Sequence, residues 1–262
     1  MTRGRLHTDL IDRLEVLLCD ADGNLFPSEE PAFVASAEVT NAFLAELGVR
    51  RRYAPEELRL ATTGMNFRNT ARALAAEHGI DEVTGLEGWV REEKRVVTAH
   101  LSATLRPDQQ VLRALTALQE QLLLAAVSSS ALARLEGCFA ATGLDTLIPA
   151  DRRFSAEDSL PVPTSKPDPA VYLHACAQLG ISPQAGLAVE DSVPGAQSAI
   201  AAGCPTVGNV VFVPAAERPA RVAALREAGA VAVVSSWAEL TDLLLPALAR
   251  RAGAGLTATA EL

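Results

Sequence analysis

The residues from Leu14 to Glu29, LEVLLCDADGNLFPSE, constrain the fold most, because an apolar segment runs directly into two carboxylates and a glycine. The apolar run from Val16 to Cys19 lacks alternation, which is typical of a strand covered on both faces of a parallel sheet. Asp20 and Asp22 then lie at the end of that strand, where open α/β sheets bind ligands, and Gly23 allows a sharp turn after them. This spacing also occurs in plain turns and calcium loops, so its meaning depends on the rest of the chain.

The rest of the chain shows two different sequence patterns. From residue 28 to about 100, apolar residues recur at helical spacing, and Gly48 and Gly79 follow the ends of predicted helices. From residue 105 onward, apolar strands alternate with helices, a pattern that favours right-handed crossovers and a parallel sheet. We therefore predict an α/β fold with a doubly wound, mostly parallel sheet and a small α-helical domain inserted after the first strand.

The domain boundaries are placed where the sequence pattern changes. Residues 1–26 and 102–250 are predicted to form the sheet domain, and residues 27–101 the helical domain. The last helix is predicted over Trp237 to Leu245, and residues 151–163 are predicted to form a loop. The small and polar residues 251–262 are predicted to be a disordered tail.

Charge and cysteine usage narrow the classes of partner. The net charge of −9 opposes binding to a phosphate backbone, so we expect no nucleic-acid partner. The four cysteines show no C-x-x-C spacing and predict neither a zinc site nor a redox motif. No apolar run is long enough to span a bilayer, and the charges in the first 15 residues do not fit a signal peptide. We expect a cytoplasmic protein without a membrane partner.

Polar side chains follow several predicted strands, and parallel strands bring their carboxyl ends to one edge of a sheet. Together these side chains supply a nucleophile, a hydroxyl donor, a fixed cation and a Mg²⁺ site, the groups that phosphoryl transfer needs. Each also has a plain structural interpretation, such as a helix N-cap or a solvated cation, but their joint occurrence favours the chemical one. The set comprises Asp20 and Asp22, Ser128 after LLLAAV, Lys166 in TSKPDP, and Glu190 with Asp191 after GLAV.

These motifs resemble those of the haloacid dehalogenase superfamily, in the branch of β-phosphoglucomutase-like and phosphoglycolate-phosphatase-like enzymes. The resemblance spans roughly residues 14–245 and rests on four motifs in the family's order: DADGN, SSS, SKPDP and EDSVPGAQSAIAAG. It implies a Rossmann-like core, an inserted helical cap, Mg²⁺ as cofactor and a phosphorylated substrate.

The resemblance implies a separate role for each carboxylate of the first motif. Asp20 would attack phosphorus and become an aspartyl phosphate. Asp22 would protonate the leaving oxygen and then deprotonate the attacking water. Because the dehalogenases of the superfamily lack the second aspartate, Asp22 favours phosphoryl transfer over cleavage of a carbon–halogen bond.

The resemblance also implies a ligand set for the metal and the phosphoryl group. Mg²⁺ would bind a carboxylate oxygen of Asp20, the backbone carbonyl of Asp22, and Asp191, with Glu190 direct or through water. The Ser128 hydroxyl and the backbone amides of Gly23 and Ser129 would donate to the phosphoryl oxygens, and Lys166 would neutralise charge on the phosphate and the nucleophile.

The chain departs from the family pattern at a few positions. Asn24 replaces the usual threonine or valine, and Phe26 with Pro27 replaces an aliphatic–aspartate pair. Gln119 to Gln121 replace the glycine usual before the second strand. Neither of the first two changes removes a catalytic atom.

Substrate selection is expected from the helical insertion. The stretch Gly64 to Arg68 matches a cap loop that faces the site in this branch, so Asn66 is a candidate for sugar hydroxyls and Arg68 for a second anionic group. The alternative is that Arg68 is a solvated helix residue.

We therefore predict a Mg²⁺-dependent phosphatase for a small phosphorylated metabolite, such as a sugar, polyol or glycolate phosphate, working as a monomer or homodimer. A phosphomutase uses the same core and differs in excluding water from its intermediate, so the motifs do not separate the two. A non-catalytic phosphate-ligand sensor is a third class, which has no need to keep both Asp20 and Asp22.

Overall fold

The computed structural model describes residues 6–62 and 65–258. The chain divides into two compact units, one formed by the residues up to Phe26 and from Arg106 onward, the other by Pro27–Leu105. No helix in the described ranges is both long and apolar enough to cross a membrane.

Within the described residues, the first unit contains one six-stranded sheet with seven α-helices. Its strands are β1 Val16–Cys19, β2 Leu123–Ser128, β3 Arg153–Ser155, β4 Gly186–Glu190, β5 Thr206–Asn209 and β6 Ala232–Val234. The helices of both units, in chain order, are α1 Thr8–Arg13, α2 Glu29–Glu46, α3 Pro55–Ala61, α4 Phe67–Glu77, α5 Leu86–Thr104, α6 Gln109–Leu118, α7 Leu132–Thr142, α8 Ala170–Leu179, α9 Val193–Ala201, α10 Arg218–Glu227 and α11 Trp237–Ala258.

All strand pairs of the sheet are parallel, in the order β3-β2-β1-β4-β5-β6. The predicted fold class is therefore confirmed. Strand β1 is buried along its whole length and pairs with β2 on one side and β4 on the other, with Cys19 opposite both Ala126 and Val189. The order of the strands reverses at β1, so its carboxyl end is the place where α/β sheets bind ligands.

The second unit is a helical bundle of α2, α3, α4 and α5, as predicted. Its core is built around Phe43, whose ring meets those of Phe67 and Trp89 edge-on, with centroids 6.4 and 5.9 Å apart. Such edge-on pairs add specific geometry to the burial of apolar area. Gly48 follows the end of α2 with a φ of +78°, the left-handed conformation that terminates helices.

The elements of the first unit that the sequence pattern did not predict include β3 and α10. Strand β3 lies inside the predicted loop 151–163 and pairs in parallel with β2. The buried guanidinium of Arg153 donates to the carbonyl of Ile148 (2.8 Å) and stacks on the ring of Phe139. A charged residue thus occupies a buried edge strand. Helix α10 has three arginines and Leu225 as its only buried residue, so its apolar face was too narrow to predict it.

The predicted end of the last helix, at Leu245, is wrong. Helix α11 continues through Pro246 to Ala258, and Leu240, Leu244 and Leu248 are fully buried at a spacing of four residues. Burial of this continuous apolar face compensates for the backbone hydrogen bond that is lost at the proline. Residues 251–258 of the predicted disordered tail are therefore helical, and residues 259–262 lie outside the described residues.

Candidate active site

Three parallel strand ends bring most of the predicted site residues together in the first unit. Asp20 follows β1, Ser128 ends β2, and Glu190 ends β4. The ammonium of Lys166 lies among them, 2.5 Å from Asp20 Oδ1 and 2.6 Å from Glu190 Oε1, and it also donates to the carbonyl of Val127 at 2.8 Å. All three donors of the ammonium are thus used, and Lys166 is a fixed cation between two carboxylates.

Burial and neighbouring charges both shift the pKa values of this cluster. Burial raises the pKa of Asp20 well above its ordinary value, although the charge of Lys166 opposes this shift. Burial also disfavours the charged form of Lys166, but the two carboxylates outweigh it and raise the pKa of this lysine. The pKa of Asp191 rises to about 7 through burial and the charge of Glu190, against the opposing charges of Arg221 and Lys166. Without a further cation, the ionised forms of Asp20 and Asp191 are therefore disfavoured.

The carboxylates form a set suited to a hard cation. Ligand oxygens of Asp20, Glu190 and Asp191 all lie within 4.8 Å of one another. Glu190 is fully buried, and its Oε2 has no hydrogen-bond partner within the part of the chain that the structure describes. Buried carboxylate oxygens without donors are costly unless a cation or proton satisfies them, and an all-oxygen set of this kind suits Mg²⁺. The residues present therefore fit the metal that the sequence predicts.

The three consecutive serines at the end of β2, Ser128 to Ser130, have different contacts. The Ser128 hydroxyl accepts from the amide of Ser130 (3.0 Å), which leaves its own O–H as a donor. The Ser129 hydroxyl accepts from the amide of Lys166 (3.1 Å) and so fixes the lysine loop. The Ser130 hydroxyl donates to Asp22 Oδ2 (2.7 Å). This contact was not predicted, although Ser130 belongs to the SSS motif. The Asp22 carboxylate thus has a serine hydroxyl as a partner, whereas the Asp20 carboxylate has the ammonium of Lys166.

A family model for haloacid dehalogenase-like hydrolases matches residues 5–203. The chain belongs to this family. The predicted family and the prediction of a hydrolase are therefore confirmed. A comparison with curated protein sequences returned no match.

Several solved structures of haloacid dehalogenase-like proteins are similar to this chain. A HAD family hydrolase from Deinococcus radiodurans R1, with bound phosphate and sodium, is 26% identical over 90% of this chain and 97% of its own, with a TM-score of 0.65. CbbY from Rhodobacter sphaeroides, in complex with xylulose-(1,5)bisphosphate, is 25% identical over 87% and 96%, with a TM-score of 0.63. A predicted phosphoglycolate phosphatase from Haemophilus somnus 129PT is 20% identical over 88% and 98%, with a TM-score of 0.69, and shares the fold.

In this haloacid dehalogenase-like chain, Gly23 is required by the turn that follows β1. Its φ is +76°, and a Cβ at this position would lie 2.5 Å from Asp191 Oδ2. The Gly23 amide, which the resemblance makes a phosphate donor, donates here to the carbonyl of Phe26 at 3.0 Å. The turn itself therefore uses this amide, and the space around Gly23 admits Asp191.

Arg221 of α10 is a neighbour of the acidic cluster that sequence reasoning missed. Its Nη1 donates to the backbone carbonyl of Asp191 (2.7 Å) and lies 3.9 Å from Asp191 Oδ2. Because α10 itself was not predicted, no signal in the sequence placed an arginine here. The contact holds the loop that carries Asp191.

Asn24, a departure from the family pattern, joins the two strand ends that carry the site. Its side-chain amide donates to the carbonyls of Asp20 (2.8 Å) and Val189 (3.1 Å), and its Oδ1 accepts from Asn209 (2.8 Å). The indole of Trp237 donates to the Asn24 carbonyl at 3.0 Å. Asn24 and Asn209 are fully buried and Trp237 nearly so. A threonine hydroxyl has one donor and could not bridge both carbonyls.

This network predicts a large loss of stability on replacing Asn24. Asn24→Ala leaves the amide of Asn209 and the carbonyl of Asp20 without their side-chain partner, so we expect a loss of roughly 2–4 kcal/mol in the free energy of unfolding. Urea denaturation measures this loss. Asn69→Ala, the same change at an exposed position, should stay within about 0.5 kcal/mol of wild type. Equal midpoints for the two variants would contradict the role of the network.

The two candidate substrate residues of the helical unit have partners inside that unit. The side chain of Asn66 accepts from the amide of Asn69 (3.0 Å) and caps α4. Arg68 forms an ion pair with Glu87, with one hydrogen bond of 2.9 Å from Nη2 to Oε2. Gly64 lies outside the described residues. Substrate contact by Asn66 and Arg68 stays a prediction.

Proposed function

We propose that this chain is a Mg²⁺-dependent phosphatase for a small phosphorylated metabolite of the sugar, polyol or glycolate phosphate class. The observation that carries the proposal is that the two aspartates have different partners. Asp20 is paired with the buried ammonium of Lys166, whereas Asp22 accepts a hydrogen bond from the Ser130 hydroxyl. Two carboxylates in different environments suit two roles, a nucleophile and a general acid and base.

Asp20 is the nucleophile in this proposal. Its carboxylate attacks phosphorus, the ester oxygen leaves with a proton from Asp22, and an aspartyl phosphate forms. Asp22 then takes a proton from the attacking water, which releases phosphate and restores Asp20. Lys166 stays beside Asp20 throughout and compensates the charge that passes between the carboxylate and the phosphoryl group.

The metal would be held by the acidic cluster. Asp20, Glu190 and Asp191 supply carboxylate oxygens, and the carbonyl of Asp22 completes the set that the family resemblance implies. When bound, Mg²⁺ neutralises the phosphoryl oxygens and orients the phosphorus toward the nucleophile.

Two comparisons support a small phosphorylated substrate. The similar structures from D. radiodurans and R. sphaeroides contain phosphate and xylulose-(1,5)bisphosphate, respectively. A dehalogenase is disfavoured because Asp22 is present. The sensor class is disfavoured because Asp20, Asp22 and Lys166 are all kept.

Turnover of a panel of phosphate esters tests this proposal. The panel contains sugar, polyol and glycolate phosphates, with Mg²⁺ or with EDTA, and a sugar 1-phosphate is assayed for its isomer as well as for free phosphate. We expect Mg²⁺-dependent release of phosphate from at least one ester. Isomer without free phosphate would replace the phosphatase by a phosphomutase, and no turnover of any ester would contradict both.

Arg68 gives a prediction about substrate selection. If it binds a second anionic group, Arg68→Ala should raise KM for the preferred substrate about tenfold or more, since a hydrogen bond to a charged group contributes about 1.5–3 kcal/mol. The KM for p-nitrophenyl phosphate, which has no second anionic group, should barely change. Both constants come from steady-state assays of the purified variant.

Glu87→Ala is the matched control, because it breaks the same ion pair and leaves Arg68 in place. We expect it to leave KM for the preferred substrate unchanged or lower. Equal KM increases in both variants would show that Arg68 serves only the ion pair of the helical unit.

A further inference from the structure

Tyr172 lies beside the acidic cluster and outside the four family motifs. It belongs to α8, six residues after Lys166, and is fully buried. Its hydroxyl donates to Glu190 Oε1 at 2.5 Å, and its ring centre is 5.3 Å from the Lys166 ammonium. Any large apolar side chain would fill this buried position of α8. The hydroxyl of Tyr172 is therefore not explained by packing alone.

The two oxygens of Glu190 are treated differently by their surroundings. Oε1 accepts from both Tyr172 and Lys166, whereas Oε2 has no hydrogen-bond partner within the described residues. On the far side, a Cβ at Gly195 would lie only 1.8 Å from Oε2, so the missing side chain there leaves room for the carboxylate. The carboxylate is therefore held in one orientation by donors on a single oxygen.

Lys166 alone does not fix that orientation. Its ammonium is shared among Glu190, Asp20 and the carbonyl of Val127, and the charge on Asp20 changes when it is phosphorylated. An ammonium is a compact charge without a preferred plane. The phenol of Tyr172 donates to Glu190 only, from a rigid and fully packed ring.

We propose that Tyr172 is a positioning residue, which orients the Glu190 carboxylate for binding a divalent cation. This inference rests on the proposed function, in which Glu190 is a metal ligand. Residues that hold a metal ligand from outside typically change metal affinity about 10–100-fold when they are removed. The hydroxyl of Tyr172 thus affects the affinity for Mg²⁺ rather than the chemical step.

Tyr172→Phe tests the inference, because phenylalanine fills the same space and lacks only the hydroxyl. The Mg²⁺ concentration at half-saturation is measured twice, from the rise in melting temperature without substrate and from activation of p-nitrophenyl phosphate turnover. We expect about a tenfold increase or more in both values, with kcat at saturating Mg²⁺ nearly unchanged. Far-UV circular dichroism checks that the variant folds.

Cys176→Ala is the matched control. Cys176 lies four residues after Tyr172 on α8 and is also buried, so the change perturbs the same helix face without touching Glu190. We expect its half-saturating Mg²⁺ concentration to equal that of wild type. An increase as large as that of Tyr172→Phe would assign the effect to helix packing and overturn the inference.

A double variant shows whether Tyr172 acts through Glu190. In the Glu190→Gln background, adding Tyr172→Phe should change the Mg²⁺ half-saturation by less than about twofold, because the ligand that it orients is already lost. An unchanged half-saturation in Tyr172→Phe itself overturns the role of Tyr172 and leaves the proposed function intact. Absence of any Mg²⁺ effect on wild type overturns the proposed metal site and this inference with it.

Discussion

Asp20→Asn is expected to abolish turnover while the fold stays intact. The amide has nearly the same shape as the carboxylate but is not a nucleophile, so the rate should fall about 10⁴-fold or more, as when other enzymes lose their nucleophile. Because burial raises the pKa of Asp20, the ionised carboxylate is costly in the folded protein, and the neutral amide should not lower the melting temperature. Steady-state turnover and a thermal scan measure the two effects.

The control for this change is Asp12→Asn, which makes the same substitution at an exposed position of α1. It should keep full activity. If Asp20→Asn kept more than a few percent of wild-type activity, with contaminating phosphatase removed, Asp20 would not be the nucleophile.

Mg²⁺ is expected to stabilise the folded protein as well as activate it. Asp20, Glu190 and Asp191 are mutually repulsive, and binding of a cation to the native state relieves this repulsion. By mass action, a hundredfold excess over Kd adds about 2.7 kcal/mol, enough to raise the melting temperature by several degrees. Thermal scans with EDTA and with Mg²⁺ measure the shift.

The same scans at two pH values test the electrostatic cause. Since the pKa of Asp191 is raised to about 7, ionisation of this carboxylate destabilises the metal-free fold as pH rises from about 4 to about 7. Below pH about 7 the Asp191 carboxyl is protonated, so Mg²⁺ must displace its proton in order to bind. The Mg²⁺ shift should therefore be larger at pH 8 than at pH 5.5.

Asp191→Asn separates the metal site from general stability. The variant loses a charge that the cation needs but also loses repulsion with Glu190, while the hydrogen bond from Arg221 to its backbone carbonyl can remain. We expect it to lose activity and the Mg²⁺ shift, yet to melt no lower than metal-free wild type. Asp12→Asn should keep the shift. An undiminished shift in Asp191→Asn would place the cation elsewhere.

The sheet and the meeting of its strand ends could be predicted because both follow from local patterns. The run from Val16 to Cys19 lacks alternation because both faces of β1 are covered, and parallel pairing then brings the end of β1 beside the ends of β2 and β4. Lys166 could be assigned to the site because its SKPDP motif comes third in the motif order of the family. Its contacts with Asp20 and Glu190 match the expected convergence.

The residues that hold these groups in place could not be predicted, because their roles depend on tertiary contacts. Tyr172 looks like one more apolar residue of α8, and Asn24 looks like a turn residue. Arg221 lies on a helix with almost no apolar face. The oligomeric state and the cellular location have no such local pattern either, and both stay predictions.

The central claim, an aspartyl phosphate on Asp20, is tested most directly without knowing the substrate. Trifluoroberyllate replaces a phosphoryl group on a carboxylate, so with Mg²⁺ it should occupy Asp20 in the way that the phosphoryl group does. We expect ¹⁹F NMR to show protein-bound fluorine signals for wild type with Mg²⁺, and none with EDTA or for Asp20→Asn. Bound signals that persist in Asp20→Asn, or their absence in wild type with Mg²⁺, would contradict the account.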